Sequence, residues 1–213
     1  MSTMLYIFDD IDLMEDDFTD NMIPLLSEER FKKMQRLRSV QGKKASVVVY
    51  LLLRIALFEN YDINENVGFI YKDKGKPVLK DYPDIHFSLS HSHNTAACVV
   101  ADFETGVDVQ KITKVSDRVA ERVLTNDEYA GFLSSNEPDS YFCEVWTIKE
   151  SFLKKTGQGI TAELRNISAA SVPDKIIYRG KEYFCCVCGP SIKASQKIDI
   201  KHIGREDFGK LLI

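Results

Sequence analysis

The amino-acid sequence predicts an α+β protein of two similar halves, each built from an antiparallel sheet and one long packed helix. Two long segments carry apolar residues at helical spacing, and each is followed by short apolar or alternating segments that end in turn residues. Residues 102–106 form a turn-like segment between the two sets. We therefore expect one half over residues 1–104 and the other over residues 105–213.

Composition limits the kinds of partner that we expect. The 213 residues carry a net charge of −4, which gives no reason to expect nucleic acid or an acidic membrane as a partner. No apolar run approaches the roughly 20 residues that cross a bilayer. The N-terminal residues have no signal-peptide pattern, and the odd count of five cysteines favours reduced thiols. We expect a cytoplasmic protein with neither a nucleic-acid nor a membrane partner.

Helix signals open the first half. Ser27 is a suitable N-cap for a helix with apolar residues from Phe31 to Leu37 at helical spacing. After Gly42, residues 45–55 continue with one apolar face and predict a core helix. The strands that we expect next are 67–71, 85–89, 96–101 and 107–110. The turn at 102–106 predicts that the last two form an antiparallel hairpin.

The second half repeats this style. Thr125 and Glu128 form a capping box, and a long helix is expected from about Ser140 to Lys155, ended by Gly157. The cluster Cys185-Cys186-Val187-Cys188 lacks a second ligand pair at zinc-like spacing, so it favours a strand with small buried side chains. The strands expected here are 175–178, 183–188 and 197–202.

Basic residues accumulate between positions 30 and 54, a segment without any acid. The charge run is typical of a solvated helix face, but it also suits a wall that binds phosphate. Further along, Ser90 and His91 follow the lysines of the 72–76 segment and offer donors for phosphate oxygens. The competing interpretation is that His91 and His93 are surface or satisfied core residues.

Two segments offer oxygen ligands and charge. Asp108 and Gln110 lie two residues apart on one face of a predicted strand, an arrangement that suits Mg²⁺. On the long helix, steps of four place four side chains in one stripe: Phe142, Trp146, Glu150 and Lys154. Glu150 and Lys154 are either a surface ion pair or a second magnesium carboxylate with a lysine that faces phosphate.

The order and spacing of four motifs identify the sequence as a member of a known family. The motifs are Gly75-Lys76-Pro77, Ser90-His91-Ser92, Gly106-Val107-Asp108-Val109 and Trp146-x-x-Lys149-Glu150-Ser151 with Lys154. Over nearly its whole length the chain resembles the surfactin-synthetase (Sfp) type of 4′-phosphopantetheinyl transferase. The resemblance implies a pseudo-two-fold α+β fold in one chain, with coenzyme A in the cleft between the halves.

The resemblance also implies a reaction. A serine hydroxyl of an apo acyl or peptidyl carrier protein attacks coenzyme A, receives the 4′-phosphopantetheine group and releases adenosine 3′,5′-bisphosphate. Mg²⁺ is the expected cofactor, coenzyme A the co-substrate and a monomer the expected state. The first half is expected to supply the coenzyme A phosphate contacts. The second half is expected to supply the magnesium-binding strand and the Trp-x-x-Lys-Glu helix.

Residue roles follow by the same resemblance. Asp108 and Glu150 hold the metal, with Gln110 at a position where the family usually has glutamate. Glu150, directly or through a metal-bound water, is the candidate base. The coenzyme A ligands are Ser90 and His91 for the phosphates, Lys76 and Lys154 for the pyrophosphate, and Arg30, Lys33 and Lys44 for the nucleotide phosphates. The catalytic residues are Glu150, Asp108, Lys154 and His91.

Two alternatives stay open at this point. Gln110 is neutral, so the chain could be a carrier-protein or coenzyme A binding protein with weakened catalysis. A metal hydrolase that uses His91, His93 and Asp108 would instead bind Zn²⁺. That reading leaves the stripe from Trp146 to Lys154 unexplained.

Overall fold

The computed structural model describes residues 4–15, 17–159, 164–189 and 198–212. It confirms the α+β class: antiparallel sheets pack against long helices. The first part of the chain contains, in order, β1 (Met4–Phe8), α1 (Phe18–Met22), α2 (Glu28–Gln35), α3 (Val40–Tyr61), β2 (Phe69–Tyr71), β3 (Pro77–Leu79), β4 (His86–Ser92) and β5 (Thr95–Ala101).

The second part supplies the remaining elements. In chain order these are β6 (Gly106–Lys111), α4 (Asp117–Val123), α5 (Asn126–Ser134), α6 (Pro138–Thr156), β7 (Lys175–Arg179), β8 (Tyr183–Cys188), β9 (Asp199–His202) and α7 (Arg205–Gly209). Short 3₁₀ turns connect them at Ile11–Leu13, Ile23–Leu25, Leu164–Asn166, Ala169–Ser171 and Lys210–Leu212.

The predicted helices form, with two changes: α2 ends at Gln35, so Leu37 lies beyond it, and α3 starts earlier than expected. Ser27 caps α2 through its side chain, as expected. Ser39 caps α3 in the same way by accepting from the Gly42 N–H, so the helix starts at Val40 instead of after Gly42. From Lys44 to Leu57 every residue of α3 is buried, more than the one apolar face that its spacing predicts. None of the helices in the described ranges combines the length and apolar character that a bilayer span needs.

Two sheets lie between α3 and α6. The first sheet has the strand order β4-β5-β1-β9, and the second has the order β6-β8-β7. β2 and β3 form a separate two-stranded sheet. Leu5, Ile7 and Val99 of the first sheet share a core with Val107 and Val109 of β6. On their outer faces, α3 packs on the first sheet and α6 on β6 and β8. The two sheets are therefore joined by a shared apolar core.

The predicted hairpin between residues 96–101 and 107–110 is wrong. β5 pairs with β4 on one edge and with β1 on the other, so neither edge is left for β6. β6 pairs instead with β8. The turn signals at 102–106 are real, but they mark the crossing from one sheet to the next.

Other long-range pairings were not predicted. β1 lies parallel to β9, so residues from near the C-terminus complete the first sheet. β2 and β3 form a hairpin around the 72–76 loop, where only the first strand was expected. Residue 197 of the last predicted strand lies outside the described residues. The division into 1–104 and 105–213 remains a prediction.

The cysteine-rich segment is a strand, as predicted. All six residues of β8 are buried, and all five cysteines of the chain are free and buried. At the start of the neighbouring strand, a Cβ atom on Gly106 would lie 2.1 Å from the Ser151 carbonyl oxygen. The glycine therefore permits β6 to approach the backbone of α6 closely.

Candidate active site

A cavity of about 530 Å³ opens between β4 and the α2–α3 region on one side and β6 and α6 on the other. The 72–76 loop, β4 and the α2–α3 region line one side of it, and β6, α6 and the glycines after α6 line the other. Its polar lining residues include Arg30, Lys33, Lys74, Lys76, Ser88, Ser90, His91, Asp108, Gln110, Glu150 and Lys154. Most of the predicted site residues therefore share one cleft.

Asp108 and Lys154 form the closest charged contact in the cleft. Lys154 Nζ lies 2.7 Å from Asp108 Oδ1, which joins α6 to β6. Asp108 is 2% exposed and Lys154 is half-buried, so the pair has low access to solvent. Of the two alternatives for Glu150 and Lys154, the surface ion pair does not form in the described part of the chain, where Lys154 pairs with Asp108 instead.

Two carboxylate oxygens in the cleft lack a partner. Asp108 Oδ2 and Glu150 Oε1 are both buried and accept no hydrogen bond in the described structure. Burial and the Asp108 charge raise the pKa of Glu150. Buried anionic oxygens without partners are costly, and a cation removes this cost. Two carboxylates with the nearby Gln110 amide match the hard oxygen ligands that Mg²⁺ takes, so these residues fit the metal.

The strand register explains why these ligands converge. Val107 and Val109 point into the core between the sheets, and Asp108 and Gln110 alternate with them toward the cleft. On α6, Trp146, Glu150 and Lys154 lie at steps of four and line the same cavity. The fourth member of the predicted stripe, Phe142, does not line this cavity and packs against Trp146.

Ser90 has a different environment from the one expected for a phosphate ligand. Its hydroxyl donates to Asp108 Oδ1 at 2.8 Å and accepts from Val109 N at 3.2 Å and from Lys154 Nζ at 2.8 Å. A hydroxyl has one proton and two lone pairs, so these three bonds use its whole capacity. Ser90 also lies inside β4, not at the strand end that the sequence suggested.

The neighbouring His91 points to the opposite side of β4, as alternation requires. Its side chain lines the cavity wall. Desolvation by the cleft and the positive charges of Lys154, Lys33 and Arg30 lower its pKa. The imidazole therefore tends to be neutral, and an anion bound among these cations would favour its protonated form.

Arg30 forms the floor of the basic side of the cleft. One terminal nitrogen donates to Ser46 O at 2.8 Å, and the guanidinium lies over the rings of Tyr50 and Phe69. Its Nε is buried without a partner. Desolvation lowers the pKa of Arg30, and Lys33 lies exposed on the same side of the cavity.

Lys76 connects the 72–76 loop to the second half. Its ammonium binds the Glu104 carboxylate and donates to the Lys155 carbonyl oxygen at 2.6 Å, and Lys72 donates to Glu104 at 2.9 Å. Burial alone would raise the pKa of Glu104. The bonds and charges of Lys76 and Lys72 outweigh it and lower the pKa to about 2.

Lys44 does not line the cavity. It is buried on α3, where its ammonium donates to the Met14 carbonyl oxygen at 2.7 Å. The expectation that Lys44 binds a nucleotide phosphate came from the family resemblance. The helix turns this residue toward the N-terminal segment, so we leave it out of the ligand set below.

The structure shows roles for residues to which the sequence analysis assigned none. Lys149, part of the Trp-x-x-Lys-Glu motif, is fully buried and donates to Glu128 Oε2 at 2.5 Å and to the Val123 and Leu164 carbonyl oxygens. It holds α6 against the α4–α5 region and lies outside the cavity lining. Alternation on β4 places Ser88 and Ser92 on one face, but no local pattern indicated that this face contacts β6. No sequence signal pointed to Glu104.

The zinc alternative requires a cluster of ligands that is not found. Within the described ranges, no group of three or more His, Cys, Asp or Glu side chains is arranged to hold a metal ion. His93 lies in the turn after β4 with a φ of 50°, next to Ser92. Asp108 is instead bonded to Ser90 and Lys154.

The fold and the cleft define an α+β protein whose halves share a site lined by cations and carboxylates. Comparison with known proteins agrees with this class. The family model described as the 4′-phosphopantetheinyl transferase superfamily matches residues 104–201. The 4′-phosphopantetheinyl transferase ffp of Bacillus subtilis is 31% identical over 153 residues, which are 70% of this chain and 68% of that protein.

A second relative gives the same result. The 4′-phosphopantetheinyl transferase Sfp of Bacillus subtilis (strain 168) is 28% identical over 152 residues, 70% of this chain and 68% of that protein. The chain belongs to the 4′-phosphopantetheinyl transferase superfamily. The family resemblance of the sequence motifs is confirmed.

Proposed function

We propose that this protein transfers the 4′-phosphopantetheine group of coenzyme A to a serine hydroxyl of an apo acyl or peptidyl carrier protein, with Mg²⁺. The observation that carries the proposal is the pair of unpartnered buried oxygens, Asp108 Oδ2 and Glu150 Oε1, in a cleft also lined by cations. Family membership supplies the reaction class.

Cations from both halves would bind the co-substrate. Arg30, Lys33 and His91 lie on the first half and suit the nucleotide phosphates, because each presents a donor or a positive charge to the cavity. Lys76 and Lys154 suit the pyrophosphate. In the structure Lys76 binds the Glu104 carboxylate and Lys154 binds the Asp108 carboxylate. Both ammonium groups are therefore placed to bind oxyanions, and a pyrophosphate oxygen could replace or share these contacts.

Asp108, Glu150 and Gln110 would hold Mg²⁺. When bound, the metal supplies positive charge to the pyrophosphate oxygens on which charge develops. The carrier serine oxygen attacks the β-phosphorus, and the bond from that phosphorus to the bridging oxygen breaks. Adenosine 3′,5′-bisphosphate leaves, and the Glu150 carboxylate takes the serine proton, either directly or through water. Lys76 and Lys154 stabilise the charge on the departing oxygens.

The cleft and the cysteines bear on the oligomeric state of the protein and on its compartment. One chain supplies both walls, so we propose that a monomer is sufficient for activity. All five cysteines are free, which suits a reducing compartment such as the cytoplasm.

The direct test is intact-mass analysis of apo acyl and peptidyl carrier proteins after incubation with the protein, coenzyme A and Mg²⁺. The expected result is a gain of one phosphopantetheine group, lost in Asp108→Ala and Glu150→Ala. Glu144→Ala is the matched control, since Glu144 lies on α6 but does not line the cavity. An unchanged carrier mass with every carrier type would contradict the proposal.

A second function is favoured by one residue. Gln110 is neutral at a position where the resemblance leads us to expect glutamate, so a protein that binds coenzyme A or carriers without efficient transfer is the alternative. This alternative predicts coenzyme A binding without transfer in the wild type, together with transfer in Gln110→Glu.

A further inference from the structure

Three serines of β4 take the place of a backbone ladder between the two halves. β6 is the edge strand of its sheet, so the N–H groups on its outer edge have no strand partner. The serine hydroxyls accept from them. The bonds, which we call the serine seam, are Val107 N to Ser88 Oγ at 2.9 Å, Val109 N to Ser90 Oγ at 3.2 Å and Lys111 N to Ser92 Oγ at 3.1 Å.

Two of the three hydroxyls also use their proton on a cleft side chain. Ser90 donates to Asp108 Oδ1 at 2.8 Å, and Ser92 donates to Gln110 Oε1 at 3.2 Å, with His93 Nδ1 a further neighbour at 3.4 Å. In this repeating pattern Ser88 stands opposite Gly106, which has no side chain to hold. The seam therefore contains two members that touch predicted metal ligands and one that does not.

The hydrogen bonds of Ser90 and Ser92 determine which ligand oxygens remain available to a metal ion. Ser90 and Lys154 hold Oδ1 of Asp108, and Oδ2 is left buried without a partner. Ser92 donates to the amide oxygen of Gln110, the neutral residue among the three predicted metal ligands. This bond fixes the orientation of the amide group. Without these bonds each side chain could rotate, and the ligand geometry would have to form during metal binding.

We propose that Ser90 and Ser92 are positioning residues of the metal site and that Ser88 has a structural role only. This inference rests on the proposed function, in which Asp108 and Gln110 hold Mg²⁺. It assigns Ser90 to the metal site through Asp108, because its hydroxyl has no remaining capacity for a phosphate oxygen.

The test compares three matched variants: Ser88→Ala, Ser90→Ala and Ser92→Ala. Each loses one seam bond, and Ser90→Ala and Ser92→Ala also lose their bonds to Asp108 and Gln110, so the urea midpoint should decrease least in Ser88→Ala. Mn²⁺, as a spectroscopic substitute for Mg²⁺, is titrated into each protein with coenzyme A, and free Mn²⁺ is followed by electron paramagnetic resonance. A titration of coenzyme A without protein is subtracted. Ser90→Ala and Ser92→Ala should weaken Mn²⁺ binding about tenfold, as loss of such supporting bonds usually does.

Ser88→Ala should stay within about twofold of the wild-type Mn²⁺ affinity, since it touches no ligand of the metal. Ser90→Thr keeps the hydroxyl and should retain the affinity, which covers the case in which Ser90→Ala does not fold. Ser90 also accepts from Lys154, so at saturating Mg²⁺ the KM for coenzyme A should rise less in Ser90→Ala than in Lys154→Met, whereas loss of a direct phosphate ligand would raise it as much.

The outcomes separate two failures. If wild-type protein binds Mn²⁺ and all three alanine variants bind it equally well, the positioning role is wrong and the metal site stands. Equal weakening in Ser88→Ala and Ser90→Ala would also overturn the inference, since it would reflect the seam alone. No Mn²⁺ binding by the wild type would contradict the proposed metal site itself.

Discussion

Lys154 Nζ lies 2.7 Å from Asp108 Oδ1, across the junction of the two halves. The ion pair neutralises one carboxylate oxygen and leaves the other, Oδ2, buried and without a partner. A single lysine on α6 thus both compensates the charge of β6 and faces the cavity in which we place the pyrophosphate.

Replacing Lys154 by methionine should reduce transfer strongly. The substitution removes a positive charge from the developing phosphate charge, and loss of one such group typically costs about 100-fold in kcat. Steady-state kinetics with a carrier protein measure the effect. Lys155→Met is the control, because the Lys155 side chain is adjacent in sequence but does not line the cavity. Equal losses in the two variants would contradict the role of Lys154.

Lys149 should be needed for stability. Its ammonium is fully buried, and it is paired with Glu128 at 2.5 Å. Lys149→Met leaves the Glu128 carboxylate in a buried site without its cation, which costs about 3–5 kcal/mol. Urea unfolding measures the free energy of unfolding. The double variant Lys149→Met/Glu128→Gln should recover part of the loss. If the double variant is no more stable than Lys149→Met, the buried pair does not explain the effect.

Gly106→Ala should destabilise the protein by about 3 kcal/mol, near the upper end of the usual cost of overpacking. The added Cβ would lie 2.1 Å from Ser151 O and 2.4 Å from Lys155 N, and both are backbone atoms that cannot rotate away. Thermal and urea unfolding measure the change. Gly209→Ala is the control, since its Cβ would meet nothing within 4 Å. A Gly106→Ala protein as stable as the control would show that β6 and α6 can separate at low cost.

The Glu104 network predicts a pH dependence of stability. The pKa of Glu104 is about 2, below its ordinary 4.5, so its contribution is present above pH 4.5 and is lost as the pH falls toward 2. Glu104→Gln should lower stability at pH 7 by on the order of 1 kcal/mol. The difference from wild type should shrink between pH 4.5 and pH 2.

Unfolding of both proteins at a series of pH values measures this difference. Glu137→Gln is the control, because Glu137 forms only an exposed contact with Arg179 at 3.3 Å. A difference for Glu104→Gln that stays constant down to pH 2 would assign its effect to packing instead of charge.

Gln110→Glu should tighten divalent-metal binding by about tenfold or more, since a third carboxylate adds a negative charge next to the cation. The concentration of Mg²⁺ that gives half-maximal activity measures the change. Gln110→Ala should shift this concentration in the opposite direction. If neither variant changes it, Gln110 is not a ligand.

Local patterns predicted much of the fold. The capping serine Ser27, the Thr125 capping box and the left-handed Gly157 after α6 are each set by neighbouring residues, so they could be read directly. Strand pairing could not be predicted from neighbouring residues in this way. The hairpin across residues 102–106 was wrong because both edges of β5 are used by β1 and β4. The parallel pair of β1 and β9 joins segments nearly 200 residues apart.

The candidate site also contains some features that local patterns predict and others that depend on tertiary contacts. Asp108, Glu150 and Lys154 follow from strand alternation and helix periodicity, and the structure brings them to one cavity. Lys44 was placed there through the family resemblance, and the sequence could not show that its ammonium reaches Met14. The three bonds of the Ser90 hydroxyl depend on β6 crossing β4, a tertiary contact without a local signal.

The measurement that tests the central claim most directly follows both products of one reaction. Apo carrier protein is incubated with the wild-type protein, coenzyme A and Mg²⁺, and modified carrier is quantified by intact mass while adenosine 3′,5′-bisphosphate is quantified by chromatography. The account predicts equal amounts of the two, both lost in Glu150→Ala and retained in Glu144→Ala. Release of the bisphosphate without carrier modification, or neither product in the presence of bound coenzyme A, would contradict transfer to a carrier serine.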